Sequence, residues 1–209
     1  MRREERARIR RREMLAGYYE VLLEEGLQGA SIAKIARRVD APPSLLIHYF
    51  GTKEQMTIEL VDYLLERYHE TYGTRLRGIA DPLERLYTLV GYLFSMEYHR
   101  LLDDRAFYAL FYVSLTHPTV RRAFARVYED SLMLVEQTLA ECMAAGAVAA
   151  DDPHELAVTL KALEEGYAFL IGGGADEDAR AEIGSALRTR ALQLLGLPAR
   201  PRGLPAQPV

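Results

Sequence analysis

The sequence predicts an all-α protein of about nine helices, and three observations lead there. Apolar residues recur at i, i+3, i+4, i+7 along most of the chain. Ser, Thr or Asp, several times with a neighbouring proline, precedes nearly every such run, which is how helices start. No segment alternates apolar and polar residues as a half-buried strand would.

Taken in order, the first helix is expected near residues 8–25, with Leu15, Tyr18, Tyr19 and Leu22 forming one apolar stripe. Gly26 is placed to end it in the left-handed conformation. Ser31 is a natural N-cap for a second helix carrying Ile32, Ile35, Ala36 and Val39. Pro42-Pro43 then opens a short helix over about 43–50, because a proline in the first turn gives up an N–H that had no partner there. Gly51 breaks it. Thr52 with Gln55 makes a capping box for a longer helix reaching about Tyr72, with Met56, Leu60, Leu64 and Tyr68 on one face. Asp81-Pro82 starts a helix over about 82–99, Asp103-Asp104 one to Thr116, and His117-Pro118 a long one to about Ala145. Asp151-Asp152-Pro153 starts a helix to about Ile171, and Asp176 one to Leu195. The proline-rich stretch 198–209 has no periodicity and is expected to stay disordered.

Composition narrows the function classes. Nearly half of the 209 residues are hydrophobic, enough for a sizeable core, yet no uninterrupted apolar run is long enough to span a membrane. The opening MRREERARIRRRE has no apolar stretch behind it to act as a signal peptide. Cys142 is the only cysteine, so no intrachain disulfide can form, and a reducing cytoplasm is the expected location. Net charge is -4, but residues 1–56 hold 11 Lys+Arg against 8 Asp+Glu, leaving 15 against 22 for the remainder. A basic front on an acidic body fits a chain that meets phosphate at one end.

Two short helices joined by a tight turn, over 32–50, have the form of a helix-turn-helix, whose second helix enters the DNA major groove. Leu46 and Phe50, at i and i+4, should face a core shared with Ile35, Ala36 and Leu22. That leaves Pro43, Ser44, Ile47 and His48 outward, with Leu45 and Tyr49 at the margins. Asp40 occupies the turn, where a positive φ is often needed and Asp tolerates one.

The stretch from Gly29 to Glu54 resembles the N-terminal domain of TetR-family regulators. Ser31, Ile35-Ala36, Leu46, Phe50 and Lys53-Glu54 match that family's pattern in type and spacing, and the His-Tyr-Phe order at 48–50 is similar to the betaine-regulator branch. Asp40, Pro42 and Ile47 stand where the family more often has glycine, serine and tyrosine. The resemblance implies a helix-turn-helix domain over 1–56, a helical effector-binding and dimerisation domain over 57–197, and a sequence-specific regulator that an effector releases from its operator. By the same resemblance Ser31, Thr52 and Lys53 would hold phosphates, and Ser44, His48 and Tyr49 would contact bases or backbone. Pro43, Leu45 and Ile47 would also lie against the groove, the last two able to meet thymine methyls. Arg10, Arg11 and Arg12, read as lying just ahead of the first helix, would reach phosphates or the minor groove.

Residues 82–171 are dense in aromatics, and tyrosine brings a hydroxyl that needs a partner when buried. Taken with the resemblance, Tyr92, Met96, Phe107, Phe111, Met133 and Tyr167 are expected to surround a small-molecule effector of the regulator. Ala157, Leu160, Ala168 and Gly172, with Ile183, Ala186, Leu187, Ala191 and Leu194, are expected to form a homodimer interface, Glu165-Gly166 standing where the family has an acidic-glycine pair. Two-fold symmetry would make the operator a palindrome. The alternative on the same fold is an effector-independent architectural or division-control protein. The five histidines are scattered, no metal-ligand spacing occurs, and Gly172-Gly173-Gly174 lacks the lysine of a phosphate loop, so no enzyme, metal or cofactor is expected.

Overall fold

A computed structural model describes residues 3–68, 73–101, 103–149, 152–172 and 176–199. Among them the chain forms eleven helices and no strand: α1 (Arg3–Gly29), α2 (Ile32–Arg38), α3 (Pro43–Phe50), α4 (Lys53–Tyr68), α5 (Thr74–Arg77), α6 (Pro82–Leu93), α7 (Met96–Leu101), α8 (Asp104–Thr116), α9 (Pro118–Ala144), α10 (Pro153–Gly172) and α11 (Glu177–Leu194). The expected tail falls almost wholly outside the described residues.

The count exceeds nine for two local reasons. The four-residue α5 is too short to carry a periodic signal. The helix expected over 82–99 is broken at Phe94-Ser95, where the Ser95 hydroxyl accepts from Tyr98 N at 3.2 Å and so starts α7 afresh. The apolar spacing runs on through this break, which hid it. Helix α1 also begins earlier than expected, at Arg3, with Glu4 and Glu5 in its first turn complementing the helix dipole. Arg10, Arg11 and Arg12 therefore lie inside α1 rather than ahead of it. Gly26 has φ 70, as its placement suggested, and the chain kinks there.

The helices form two compact units. The first holds α1–α4, α8 and the start of α9; the second holds α5–α7, the rest of α9, α10 and α11. The boundary expected at residue 56 falls inside the continuous helix α4. In the first unit Met14, Tyr18, Ile35, Leu46, Met56 and Leu60 are wholly buried. Each such side chain contributes about 1.5–3 kcal/mol relative to leaving it in water. α1 lies close on the end of α2: a Cβ at Gly17 would come 2.2 Å from Val39 Cγ1, so any larger residue must displace the Val39 side chain. In the second unit Leu86, Leu93, Leu139, Leu160, Tyr167 and Leu192 make the core. A Cβ at Gly184 of α11 would come 2.6 Å from the Phe94 carbonyl oxygen.

The interface expected from the last two helices is corrected in part. Ala157, Leu160, Ala168 and Ala191 face the core of their own chain. The outward face of α10 is the opposite one, where Val158, Phe169 and Leu170 are exposed; on α11 Ala186 and Leu194 are exposed. Both faces of α10 are apolar, so spacing alone did not say which one turns inward.

Candidate nucleic-acid interface

Ser31 adopts extended backbone angles and its hydroxyl accepts from Lys34 N at 3.3 Å, starting α2. The helix ends at Val39, and Asp40 then takes φ 47, the one positive φ among the described non-glycine residues. That turn is closed by Ala41 N donating to Ala36 O at 2.9 Å. Helix α3 starts with Pro43 at its first position, and no side chain caps it. Gly51, at φ 74, ends it, and the Thr52 hydroxyl accepts from Gln55 N at 3.0 Å to start α4.

Within α3 the expected division of faces is realised. Leu46 and Phe50 are buried, while Pro43, Ser44, Ile47 and His48 are exposed and Leu45 and Tyr49 half-buried. Ile47, a large apolar group, leaves 47% of its surface in water. The His48 ring stands edge-on to Tyr49, with centroids 5.8 Å apart. One short helix thus offers a hydroxyl, an imidazole and a branched apolar side chain, the mixture that reads donors, acceptors and methyl groups in a groove.

The helices behind α3 are held by polar ties. The Tyr18 hydroxyl meets Thr57 Oγ1 at 2.8 Å in the core, joining α1 to α4. On the rim Arg38 pairs with Glu20, at 3.1 Å, and with Glu24, while Lys34 pairs with Glu25. These exposed pairs are each worth at most about 1 kcal/mol.

Three expected DNA cations are engaged within the chain. The Arg11 guanidinium grips Glu59 through two bonds of 2.5 and 2.6 Å and lies 4.8 Å from the Phe50 ring centroid. Arg12 reaches Glu66 at 3.4 Å and sits over the Tyr63 ring. Lys53 Nζ donates to the Leu27 carbonyl at 2.8 Å, and burial lowers its pKa from the ordinary lysine value. An ammonium at a helix N-terminus is opposed by the helix dipole, and here the Leu27 carbonyl near the end of α1 gives it an acceptor. The exposed cations that sequence reasoning passed over are Arg3, Arg6 and Arg8 on α1 and Arg37 on α2. They carry no apolar pattern to draw the eye, and only the pairing of their neighbours singles them out.

The six expected effector residues divide between the two units. Phe107 and Phe111 belong to the first unit, where they meet Phe124 at centroid distances of 5.6 and 6.1 Å. Tyr92 and Met96 border the core of the second unit, Tyr167 is sealed inside it and Met133 is exposed. The Tyr167 ring meets those of His99 and Phe94 at 5.0 and 6.1 Å. Near them Glu165, not singled out for the effector from sequence, accepts a hydrogen bond from the Tyr128 hydroxyl; burial first, and the Glu164 carboxylate second, raise its pKa. Glu164 is itself buried and paired with Lys161.

Among the described residues no group of three or more His, Cys, Asp or Glu is placed to hold a metal ion, and no helix is long and apolar enough to cross a membrane.

Comparison with known proteins adds two family patterns. One described as "Bacterial regulatory proteins, tetR family" matches residues 15–60, and one described as "Tetracyclin repressor-like, C-terminal domain" matches residues 81–197. Among relatives, the HTH-type transcriptional regulator BetI of Rhizobium meliloti (strain 1021) is 27% identical over 161 residues, covering 73% of this chain and 79% of that one. BetI of Serratia proteamaculans (strain 568) is 28% identical, covering 54% of this chain and 59% of that one. Among solved structures, a TetR transcription regulator from Haloarcula marismortui superposes with a TM-score of 0.78 at 19% identity, covering 90% of this chain and 96% of that one. A transcriptional regulator from Saccharomonospora viridis, solved in complex with choline, gives a TM-score of 0.77 at 20% identity, covering 88% and 95%.

Proposed function

The chain belongs to the TetR family of bacterial regulatory proteins and is a DNA-binding transcriptional regulator, and we propose that it is a repressor that reads its operator with α3 and releases it on binding a small effector. The carrying observation is the division of α3 into a buried face, Leu46 and Phe50, and an open face, Ser44, Ile47 and His48. An eight-residue helix anchored from behind by two large side chains holds its outward groups in fixed positions, which sequence reading requires.

In this reading Ser44 and His48 bond base edges or backbone, Leu45 and Ile47 lie against thymine methyls, and Pro43 and Tyr49 line the groove wall. Ser31 and Thr52 bond phosphates, and Lys53 exchanges the Leu27 carbonyl for a phosphate oxygen. Arg11 instead backs α3 through Phe50, and Arg11 and Arg12 tie α1 to α4 through Glu59 and Glu66. The protein acts in the cytoplasm as a homodimer through the outward faces of α10 and α11, where Val158, Phe169, Leu170 and Leu194 leave apolar surface uncovered. Two reading heads related by a two-fold axis bind a palindromic operator.

The effector is assigned to the second unit, around Tyr92, Met96 and Tyr167. The choline held by the Saccharomonospora viridis protein makes a small organic cation the first candidate. Tyrosine rings together with the Glu165 carboxyl are suited to such a charge.

A mobility-shift titration tests the reading. Affinity should fall steeply with salt, because released counterions drive binding. Lys53→Ala should weaken all sequences alike, whereas Ser44→Ala or His48→Ala should also relax the choice of sequence. A flat titration at low salt would refute DNA binding.

A further inference from the structure

We propose that Arg11 and Glu59 are positioning residues for sequence reading: clamped to α4, the Arg11 guanidinium holds the C-terminal end of α3 at the tilt that brings His48 to its base contact. The inference rests on the reading of α3 as the recognition helix given above.

The reading segment is fixed separately at its two ends. At its start α2 gives way to the turn at Val39, whose carbonyl accepts from Arg10 Nη2 at 3.3 Å and whose side chain lies against Gly17 of α1. Ala41 N closes that turn on the Ala36 carbonyl at 2.9 Å. At the far end Phe50 is the last residue of α3, and the Arg11 guanidinium stands 4.8 Å from its ring centroid. The same guanidinium grips both carboxylate oxygens of Glu59 on α4, at 2.5 and 2.6 Å, and interacts electrostatically with Tyr49. A forked pair fixes the plane of a guanidinium, and a planar cation lies favourably against an aromatic face. Burying Phe50 is a non-directional hold, whereas the clamp sets an angle. Because Glu59 meets its charge, Arg11 acts through Phe50 and not on a phosphate.

The consequence is unequal along α3. With Pro43 as pivot, Ser44 lies about 1.5 Å and His48 about 7.5 Å along the axis, at ~1.5 Å per residue. A tilt of about 10° then moves the backbone by roughly 0.3 Å at Ser44 and roughly 1.3 Å at His48, against a tolerance of about 0.5 Å for a positioned site. Losing the clamp therefore spoils the contact of His48 and spares that of Ser44.

The test uses the full chain and duplexes carrying each single base-pair change in the operator that wild type selects. Ser44→Ala and His48→Ala first mark the positions that each side chain reads. Arg11→Ala should then lose roughly tenfold of the preference at the His48 positions, about the worth of one good base contact, and keep it at the Ser44 positions. Arg11→Lys, which keeps the charge but lacks the planar fork, should show the same loss. Glu59→Gln should relax the His48 positions too, with no gain in affinity. In all three the slope of log affinity against log salt should match wild type, since no phosphate contact is removed or added. Helix content by circular dichroism should match as well. An equal loss at every position, an unchanged pattern, or full rescue by Arg11→Lys overturns this inference alone. So does a shallower slope in Arg11→Ala, tighter binding with a steeper slope in Glu59→Gln, or a His48→Ala pattern equal to that of wild type. A wild type that selects no operator overturns the DNA reading and this inference with it.

Discussion

The hydrogen bond between Tyr18 and Thr57 joins α1 to α4 behind the reading helix, and its direction follows from its surroundings. The Thr57 hydroxyl donates to the Lys53 carbonyl at 2.8 Å, so the Tyr18 hydroxyl must be the donor to Thr57 Oγ1, also at 2.8 Å. Both groups are buried. Thr57→Val removes the acceptor and strands the Tyr18 hydroxyl in the core, which costs about 1–3 kcal/mol. It orphans nothing at Lys53, whose carbonyl keeps its helical partner. Tyr18→Phe removes the donor, but Thr57 still donates to Lys53, so the loss is that of one ordinary bond, about 0.5–1.5 kcal/mol. With both changes nothing polar is stranded. We expect about 2 kcal/mol for Thr57→Val, about 1 for Tyr18→Phe and about 1 for the pair, a coupling of roughly 2 kcal/mol. Denaturant unfolding at a single protomer concentration measures all four corners of the cycle. Additive losses, or Tyr18→Phe costing more than Thr57→Val, would refute this assignment of donor and acceptor.

Three further outcomes are expected. Gly17→Ala should lower the unfolding midpoint despite alanine's better helix propensity, because its Cβ would sit 2.2 Å from Val39 Cγ1; adding Val39→Ala should restore much of the loss, and a stabilised Gly17→Ala would contradict the close approach. Cys142 is buried, and desolvation pushes its thiol pKa up to about 11, so native protein at pH 8 should resist thiol reagents that label it at once after unfolding. The exposed His154 ring bonds Glu136 at 2.9 Å, and that bond raises its pKa above the ordinary histidine value of 6.5. Its small contribution to stability is therefore complete below pH 6.5 and lost as pH rises through the folded value. An NMR titration should find the His154 pKa falling in Glu136→Gln, and an unchanged value would remove the pair from the account.

How much was legible in the sequence depended on the range of the interactions. Helix α3 was readable because its signals are local: a proline at the first turn, Leu46 and Phe50 four apart, glycine at its end. The same holds for Asp40, whose strained φ is a matter of one residue. The roles of Arg11 and Lys53 were not readable, since their partners Glu59 and Leu27 lie 48 and 26 positions away. The early start of α1 escaped notice because a helix made of Arg and Glu has no apolar stripe and looks like a solvated leader. On α10 two apolar faces compete, and only packing against α11 decides which is inside.

Sequence-specific binding requires that the open face of α3 read base pairs. Selection of bound duplexes from a random pool, run in parallel with wild type and with Ser44→Ala/His48→Ala, measures this most directly. Wild type should enrich a two-fold symmetric site, and the variant should lose the preference at matching positions in both halves while still binding DNA at low salt. Enrichment of the same site by both proteins, or of no site by wild type, would contradict it.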